Sequence, residues 1–426
     1  MNAFRSASRG EKSAVVALVL ATLFFLVRDI VHQPFQDTGV DFPTHWLAAK
    51  AMQQGQSPYY GEHLYLGYNY PMFLAIIWYP LAWVPTVEAA EKIWDATNVL
   101  LVLLAGAALG WWLWPARALR EGPGPEAFLA RWWTLVVAFF LASYEPLHVV
   151  LYAANIEPWN LFFGGMFVVC MARRWDARAG VFLALFALIK VAPVLLILGV
   201  LGLRRYRAAA AFGATLAAYG LLLLVTGWWR WESALYTDTL PNIPHNWQGI
   251  SLSIHRFLAD SFAPEILGDA KRYGRFIFLL NVPLGMVYAA CCAWQWWRRR
   301  ADEELFLAFA CFYVLLLSPL VEVTHFTWVA PAILLQLRAF ARRAVSPGVF
   351  VMLAGLWVGV FLLHFILHWN WLPGDWATWK YQTIVLVYCV GASGAAAFLT
   401  PREGRATAPA AEPACATLEK EAPTPA

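Results

Sequence analysis

Long apolar runs recur along most of this chain and constrain its fold more than any other feature. Crossing the hydrocarbon core of a bilayer takes about 20 apolar residues in a helix. The chain is 61% hydrophobic and 14% charged, and its polar stretches are too short to build a separate soluble domain. We therefore predict an all-α polytopic membrane protein. The clearest apolar runs lie at residues 13–31, 92–114, 131–152, 157–172, 207–227, 273–297, 304–320, 325–338, 346–369 and 377–399.

The two ends of the chain differ from this membrane domain. Residues 1–12 are basic, and the apolar run that follows is too long for a signal-peptide core, so we predict a cytoplasmic N-terminus and a retained first helix. From about residue 400 onward Ala, Pro, Glu and Thr dominate, which predicts a disordered cytoplasmic tail over residues 400–426. The membrane-embedded domain is thus predicted to span residues 13–399.

Two segments do not fit a simple crossing. Residues 71–85 are short and contain Pro80, and residues 177–203 are interrupted by Lys190-Val191-Ala192-Pro193. If 71–85 dips into the membrane without crossing and 177–203 breaks into two short helices, every Lys and Arg cluster falls on the cytoplasmic side, as the positive-inside rule requires. This arrangement predicts about 12 transmembrane helices in the plasma (inner) membrane. Residues 32–91 then form the first extracytoplasmic loop region and residues 228–272 the large extracytoplasmic loop, with short interfacial helices.

Charge, cysteines and motifs exclude several classes of function. The formal net charge is only +4, and Lys and Arg fall in short clusters between apolar runs, so nucleic acid is not an expected partner. Five of the six cysteines lie inside apolar segments, which indicates neither a disulfide framework nor a metal site. The sequence has no nucleotide-binding glycine loop, zinc-ligand spacing or nucleophile elbow. We therefore predict no metal and no cofactor.

Polar residues that are costly in a membrane collect at the predicted extracytoplasmic end. Asp41 precedes a helix-compatible stretch, and it is either a functional carboxylate or a helix N-cap with Asp37 as a loop partner. Lys190 lies in an apolar context at a break marked by proline, where it either snorkels to solvent or binds a phosphate. His325, three residues after Glu322, is either an interfacial residue or an acid, base or phosphate ligand.

The large predicted loop adds amides, aromatic rings and a cation. These groups either cap the helices or bind sugar hydroxyls and phosphates, and Arg256 is the main functional candidate among them. A site at this end of the bundle would combine a carboxylate, a lysine and a histidine. Because irregular backbone at membrane depth is tolerated only beside protein or a wet cavity, the break at Lys190 also predicts a cavity.

Five short motifs follow one another along the chain. They are Asp41...Ala49...Gly55-Gln56-Ser57-Pro58-Tyr59...Tyr70-Pro71, Asn155...Asn160, Ala179-Gly180...Ile189-Lys190-Val191-Ala192-Pro193, Gly249-Ile250-Ser251-Leu252...Arg256 and Ser318-Pro319...His325. Their order resembles that of glycosyltransferase family 87, which contains polyprenyl-phosphate-mannose-dependent mannosyltransferase-like membrane enzymes of the GT-C fold. The resemblance implies this fold and a hexosyltransferase activity; it runs through roughly residues 13–400, and its specificity lies in the order of the motifs. The family commonly has a Gly-Gln-x-Asn element at residues 155–160, and the glutamine is absent here.

The resemblance and the polar residues together predict a reaction; the role of Asp41 is what the resemblance implies, and the other roles follow from the residue types. Asp41 is expected to be the catalytic base that takes the proton of an acceptor hydroxyl, while Lys190, Arg256 and His325 neutralise the departing phosphate. A sugar, mannose by resemblance, would pass from a polyprenyl-phosphate donor to a lipid or glycan acceptor on the extracytoplasmic side, with inversion and without a metal. Expected substrate-binding residues are Asp37, His45, Tyr59, Tyr70, Asn155, Glu157, Asn160, Asn242, His255 and Glu322.

Donor, acceptor and membrane lipids are the expected partners, and we expect a monomer. Two other classes of protein fit the membrane topology. A lipid-sugar transporter or flippase would also have 12 helices with broken segments, although its polar groups are expected at the midplane. A non-catalytic envelope assembly protein is the third alternative.

Overall fold

The structure is a computed structural model that describes residues 4, 7–35, 39–59, 68–115, 124–241, 243–246, 251–342, 346–361 and 379–400. Two of the predicted site residues, Asp37 and Asn242, lie outside these residues, as does the predicted tail from residue 401 onward. In the part of the chain that is described, all regular elements are helical, as predicted for an all-α protein.

The helices are named here in chain order. Those of the first half are α1 (Arg9–Phe25), α2 (Phe42–Gln53), α3 (Met72–Trp78), α4 (Val87–Trp112), α5 (Pro125–Arg131), α6 (Trp133–Ala142), α7 (Glu145–Tyr152), α8 (Glu157–Ala172), α9 (Asp176–Ile189) and α10 (Leu196–Gly202). Those of the second half are α11 (Tyr206–Thr226), α12 (Trp229–Ala234), α13 (Ile243–Asn246), α14 (Ile254–Phe262), α15 (Ala270–Arg298), α16 (Glu303–Leu317), α17 (Ala330–Ala341), α18 (Pro347–Phe361) and α19 (Trp379–Leu399). Short 3₁₀ or π-helical segments lie at Leu26–His32, Gln33–Phe35, Tyr79–Trp83, Ala192–Leu195, Leu235–Thr239, Pro264–Gly268 and Val323–Val329.

Several helices are long and apolar enough to cross a membrane. In the described residues five qualify alone, namely Arg9–His32, Val87–Trp112, Tyr206–Thr226, Ala270–Arg298 and Lys380–Leu399. The pair α5 and α6 would add a further span, although the two helices are bent by 87° at their junction. Other apolar helices are shorter, such as α8 with 16 residues and α16 with 15. The protein is thus a helical multi-pass membrane protein, and the number of about 12 crossings stays a prediction.

The two segments that did not fit a simple crossing are both irregular. Helix α9 ends at Ile189, Lys190 has an extended backbone (φ −135°, ψ 136°), and a 3₁₀ turn containing Pro193 precedes α10. The predicted break is confirmed, and Pro193 contributes to it because proline has no N–H to donate into a continuing helix. The α3 segment has seven helical residues followed by five in a 3₁₀ turn. Its length of roughly 20 Å is too short for a core of about 30 Å, as expected if it does not cross.

One apolar run that was predicted to be continuous is divided. Residues 131–152 form α6 and α7, with α6 ending at Ala142 and α7 starting at Glu145. Pro146 in the first turn of α7 explains the division, because proline suits the first turn of a helix and not its interior.

The core of the bundle forms around α8 and α9. Helix α8 packs against α4, α9 and α17, and α9 also packs along α11. The α9–α11 contact is closest at Gly180, where a Cβ atom would lie 2.1 Å from the carbonyl oxygen of Ala208. Only glycine permits this approach, which is a common way to bring membrane helices together. A second group of helices, α16, α17, α18 and α19, packs beside this core.

Opposite ends of the same helices carry different polar groups. At one end, Arg174, Arg205 and Arg338 form ion pairs with the acidic residues that begin α16 and line a cavity of about 370 Å³. At the other end, Lys190 follows α9. Helix α8 joins the two ends, and its 16 residues span about 24 Å. Three basic clusters that were predicted to be cytoplasmic therefore share the end of the bundle opposite Lys190.

Candidate functional site

Asp41 directly precedes α2 but does not cap it. Its side chain makes no capping hydrogen bond to the helix. Its Oδ2 atom instead accepts a hydrogen bond from Asn155 Nδ2 at 2.5 Å, and its backbone N–H donates to the carbonyl oxygen of Ala153 at 3.2 Å. A structural role as helix N-cap therefore does not explain this carboxylate.

Asn155 offers its N–H to Asp41 because its other amide atom is already engaged. The Oδ1 atom of Asn155 accepts the backbone N–H of Glu157 at 3.1 Å, which fixes the orientation of the amide. Burial raises the pKa of Asp41 above its ordinary value, while the Asn155 hydrogen bond and the charge of Lys190 lower it. A partly buried carboxylate with a raised pKa and one oxygen held in place is suited to accept a proton.

Buried polar residues of α4 hold the loop that carries Asp41. Glu91 accepts the backbone N–H of Gly39, and Asn98 Nδ2 donates to the carbonyl oxygen of Asn155 at 3.1 Å. The loop also touches α7 closely, since a Cβ on Gly39 would lie 2.7 Å from the carbonyl carbon and oxygen of Ala153. Sequence analysis missed Glu91 and Asn98, although their spacing places both on one face of an apolar helix and could have revealed them.

Glu157 is the buried centre of the site. Its side chain is fully buried and pairs through Oε1 with the Nζ atom of Lys190, whose side chain is 16% exposed. Its Oε2 atom accepts hydrogen bonds from Trp328 Nε1 and from Asn160 Nδ2, the latter at 2.9 Å. A buried carboxylate is tolerated when its oxygens are paired in this way. Sequence analysis placed Glu157 and Lys190 in one site without pairing them, and it missed Trp328.

His325 contacts Lys190 through one ring nitrogen and its own backbone segment through the other. Nε2 lies 2.5 Å from Lys190 Nζ, and Nδ1 accepts the backbone N–H of Glu322 at 2.7 Å. Because Nδ1 accepts a hydrogen bond, it carries no hydrogen, and the ring is neutral. A neutral ring that accepts at Nδ1 carries its hydrogen on Nε2, which therefore points at Lys190.

Glu322 completes the charged group. It is the N-cap residue of the 3₁₀ segment that contains His325, and its Oε2 atom accepts the hydroxyl hydrogen of Thr324 at 3.2 Å. Burial raises the pKa of Glu322, the charge of Lys190 lowers it, and the nearby carboxylates of Asp41 and Glu157 raise it further. The structure thus brings the predicted carboxylates, lysine and histidine into one interacting group.

Three other predicted residues lie on the side of α2 and α3. His45, one turn after Asp41, is buried, and its ring centroid is 4.9 Å from that of Tyr70. The hydroxyl of Tyr59 donates to the carbonyl oxygen of Tyr70 at 2.8 Å and lies 3.5 Å from a carboxylate oxygen of Glu232. His45 and Tyr70 therefore adjoin the charged group, while Tyr59 belongs to a neighbouring tyrosine cluster around Glu232.

Arg256 and His255 lie on α14, within the large predicted loop. The backbone N–H of Arg256 is capped by Ser253, and the charges that act on its side chain are those of Asp260 and Tyr273. The Nε2 atom of His255 lies 2.9 Å from Asn281 Oδ1 on α15. Contact of Arg256 and His255 with a substrate stays a prediction.

Acidic, histidine and cysteine side chains can hold a metal ion where at least three of them lie close together. Within the described ranges, no three His, Cys, Asp or Glu side chains are grouped as a metal site would require. The charged group instead combines fixed cationic and N–H donors with a carboxylate held at one oxygen. Such a group can bind an oxyanion and accept a proton beside it.

Comparison with known proteins identifies the family. The model of glycosyltransferase family 87 matches residues 68–319, more than half of the chain. A relative from Mycobacterium tuberculosis is 28% identical over 333 residues, which cover 74% of this chain and 73% of the relative. One from Mycolicibacterium smegmatis is 25% identical over 340 residues, which cover 72% and 71%. Both are named polyprenol-phosphate-mannose-dependent alpha-(1-2)-phosphatidylinositol mannoside mannosyltransferase. The resemblance drawn from the motifs is confirmed, and the chain belongs to glycosyltransferase family 87 as a membrane glycosyltransferase.

Proposed function

We propose that the protein moves a mannose from a polyprenyl-phosphate donor to a lipid or glycan acceptor at the extracytoplasmic side of the membrane. The names of the two relatives support this donor, and they indicate a phosphatidylinositol mannoside as one class of acceptor. The reaction takes place at the group formed by Asp41, Glu157, Lys190, Glu322 and His325, within a GT-C-like bundle of about 12 transmembrane helices.

One observation carries this proposal, namely the contact between Lys190 and His325. Nε2 of His325 and Nζ of Lys190 lie 2.5 Å apart, and both atoms carry hydrogens in the tautomer that accepts the Glu322 N–H at Nδ1. Two donors cannot hydrogen-bond to each other, so an acceptor that lies against both nitrogens would satisfy them together. A phosphate oxygen beside the two nitrogens would accept from both and would be a second anionic partner for Lys190 besides Glu157.

In the proposed reaction Asp41 and the phosphate ligands act on opposite sides of the anomeric carbon. Asp41 takes the proton of the acceptor hydroxyl as the acceptor oxygen attacks the anomeric carbon. The bond between that carbon and the phosphate oxygen breaks, and polyprenyl phosphate leaves with the electron pair. Lys190 and His325 neutralise the leaving group, with Arg256 as a proposed third cation. A single displacement inverts the configuration and uses no metal.

The other polar residues position these groups or contact the substrate. Both oxygens of Glu157 are engaged by protein donors, so its proposed role is to hold Lys190 in place. Asn155 likewise orients Asp41. We propose that Asn160 and Glu322 line the substrate path near Lys190 and Asp41. We also propose that the protein acts as a monomer.

Transfer by purified protein tests the proposal. Radiolabelled mannose should move from polyprenyl-phosphate-mannose to a phosphatidylinositol mannoside, at the same rate with and without a chelator, and the new bond should have the inverted configuration. Donor that is carried across a vesicle membrane without cleavage would indicate a flippase and contradict the proposal. A requirement for a divalent cation would contradict the mechanism.

Orientation needs a separate test. In a background that lacks the native cysteines, single cysteines at the exposed positions Gln56 and Asp238 should react from outside with a membrane-impermeant thiol reagent. A cysteine at the exposed position Arg300, within a basic cluster, should not react from outside. External labelling of position 300 would overturn the proposed orientation.

A further inference from the structure

A stacked aromatic cluster lies beside the charged group, on the side of α2. The His45 ring stacks on Trp78 with centroids 5.8 Å apart and planes 19° apart. Trp78 in turn lies 6.0 Å from Trp159 of α8, and Trp159 stacks on Trp94 at 5.7 Å and 14°. Four helices, α2, α3, α4 and α8, thus contribute rings to one buried cluster.

This cluster contains buried polar atoms without a hydrogen-bond partner among the described residues. They include both ring nitrogens of His45 and the Nε1 atoms of Trp78 and Trp159. His45 is only 1% exposed and Trp78 only 2%. The Nε1 atom of Trp94, in contrast, donates to the carbonyl oxygen of Ala154 at 3.0 Å. Since buried donors and acceptors are rarely left unpaired in a folded protein, the free atoms point to a polar occupant.

A sugar ring offers the hydrogen-bond partners that the buried nitrogen atoms of this cluster lack. Its hydroxyls donate and accept hydrogen bonds, as the two indole N–H groups and the imidazole of His45 require. Its C–H faces are apolar and pack against aromatic rings. Aromatic walls with a few well-placed polar atoms are also typical of small-molecule sites in general.

The cluster lies where the sugar of the donor has to be. His45 is one turn along α2 from Asp41, so both side chains lie on the same face of that helix. Trp159 lies between Glu157 and Asn160 in the chain; Glu157 contacts Lys190, and Asn160 contacts Glu157. The cluster therefore adjoins both the proposed base and the proposed phosphate ligand, which must lie on opposite sides of the anomeric carbon.

We propose that His45, Trp78 and Trp159 form the subsite for the hexose ring of the donor, with the two indole N–H groups and the imidazole binding its hydroxyls. This inference rests on the proposed function and assigns the residues that recognise the sugar. Lys190 and His325 hold the phosphate, so recognition of sugar and phosphate is divided between separate residues.

Affinity for two lipids separates the subsite from the phosphate site. Wild-type protein should bind polyprenyl-phosphate-mannose more tightly than polyprenyl phosphate. Trp159→Phe and Trp78→Phe keep a ring but remove the N–H, and His45→Phe removes both nitrogens. Each should weaken binding of the mannosylated lipid about tenfold, the effect of roughly one hydrogen bond with its desolvation, and leave polyprenyl phosphate unchanged. Trp83→Phe, at a 63% exposed tryptophan, is the matched control and should change neither affinity.

Several outcomes would overturn the inference. Equal binding of the two lipids by the wild type would mean that the sugar makes no favourable contact. Variants with equally weakened binding of both lipids would show that the cluster has a structural role. Gel filtration of each variant would report loss of folding. Weaker binding of a phosphatidylinositol mannoside with unchanged donor binding would assign the cluster to the acceptor sugar. If the wild type transfers mannose and the variants keep the wild-type ratio of affinities for polyprenyl-phosphate-mannose and polyprenyl phosphate, the inference fails and the proposed function survives.

Discussion

The pairing of Glu157 with Lys190 is expected to dominate the stability of the site. The Glu157 side chain is fully buried and that of Lys190 is 16% exposed, so loss of either partner leaves a charge in a poorly solvated position. Removing one member of a buried pair costs about 3 to 5 kcal/mol. Because Lys190 is partly exposed, we expect about 3 kcal/mol for Glu157→Gln, and a similar loss for Lys190→Met.

The double variant separates charge pairing from packing. With both charges removed, Glu157→Gln/Lys190→Met should lose about 2 kcal/mol less than the sum of the single losses. The free energy of unfolding would be measured by denaturant titration in mixed detergent micelles. The exposed pair Arg272–Asp269, at 3.4 Å, serves as control and should show no measurable coupling.

Activity gives an independent check on the same variants. The double variant should regain stability without regaining transfer, since the phosphate ligand is gone. Strictly additive losses of stability would refute the buried ion pair as described. Recovered transfer in the double variant would refute the role of Lys190.

Three further predictions concern neighbouring groups. Gly39→Ala should reduce transfer strongly, because the added Cβ would lie 2.7 Å from the Ala153 carbonyl oxygen that holds the Asp41 backbone. Gly213 has open space around it, so Gly213→Ala should leave the transfer rate unchanged. Equal transfer rates in the two variants would contradict this reasoning. In the pH profile of kcat/KM, activity should fall on the acid side at a pH above the ordinary pKa of an aspartate, because burial raises the pKa of Asp41. Asn155→Ala should move this fall to a still higher pH, because it removes a hydrogen bond that lowers the pKa of Asp41. An unchanged pH profile in Asn155→Ala would contradict the role of Asp41 as the base. Lys190→Gln should abolish tight binding of polyprenyl phosphate, and Lys190→Arg should keep part of it because charge survives while geometry changes; unchanged affinity in Lys190→Gln would remove this residue from the site.

The sequence was most informative where a local rule applied. The run lengths predicted a helical membrane protein, and the proline of Lys190-Val191-Ala192-Pro193 predicted the break after α9. Hydropathy could not give the number of crossings, because helices such as α8 are shorter than a full span and are defined by their packing against α4 and α9. Pro146 explains the division of residues 131–152 into two helices. This proline is visible in the sequence, but the prediction gave more weight to the length of the apolar run.

Candidate residues were found more readily than their partners. Polar groups in apolar contexts singled out Asp41, Lys190 and His325, since such residues are costly without a reason. The chain contacts that explain them join positions more than 100 residues apart, as between Asp41 and Asn155 or Lys190 and His325. Pairing of this kind depends on tertiary structure, and no spacing rule in a single sequence reports it.

The most direct test of the mechanism is the rate at which purified Asp41→Asn transfers mannose from polyprenyl-phosphate-mannose. The amide keeps the size of the carboxylate but accepts no proton, so the rate should fall by about 10²- to 10⁴-fold while the variant folds and still binds polyprenyl phosphate. Asp238→Asn, at an exposed carboxylate in the large loop, should transfer at the wild-type rate. Transfer by Asp41→Asn at the wild-type rate would contradict the assignment of Asp41 as the base.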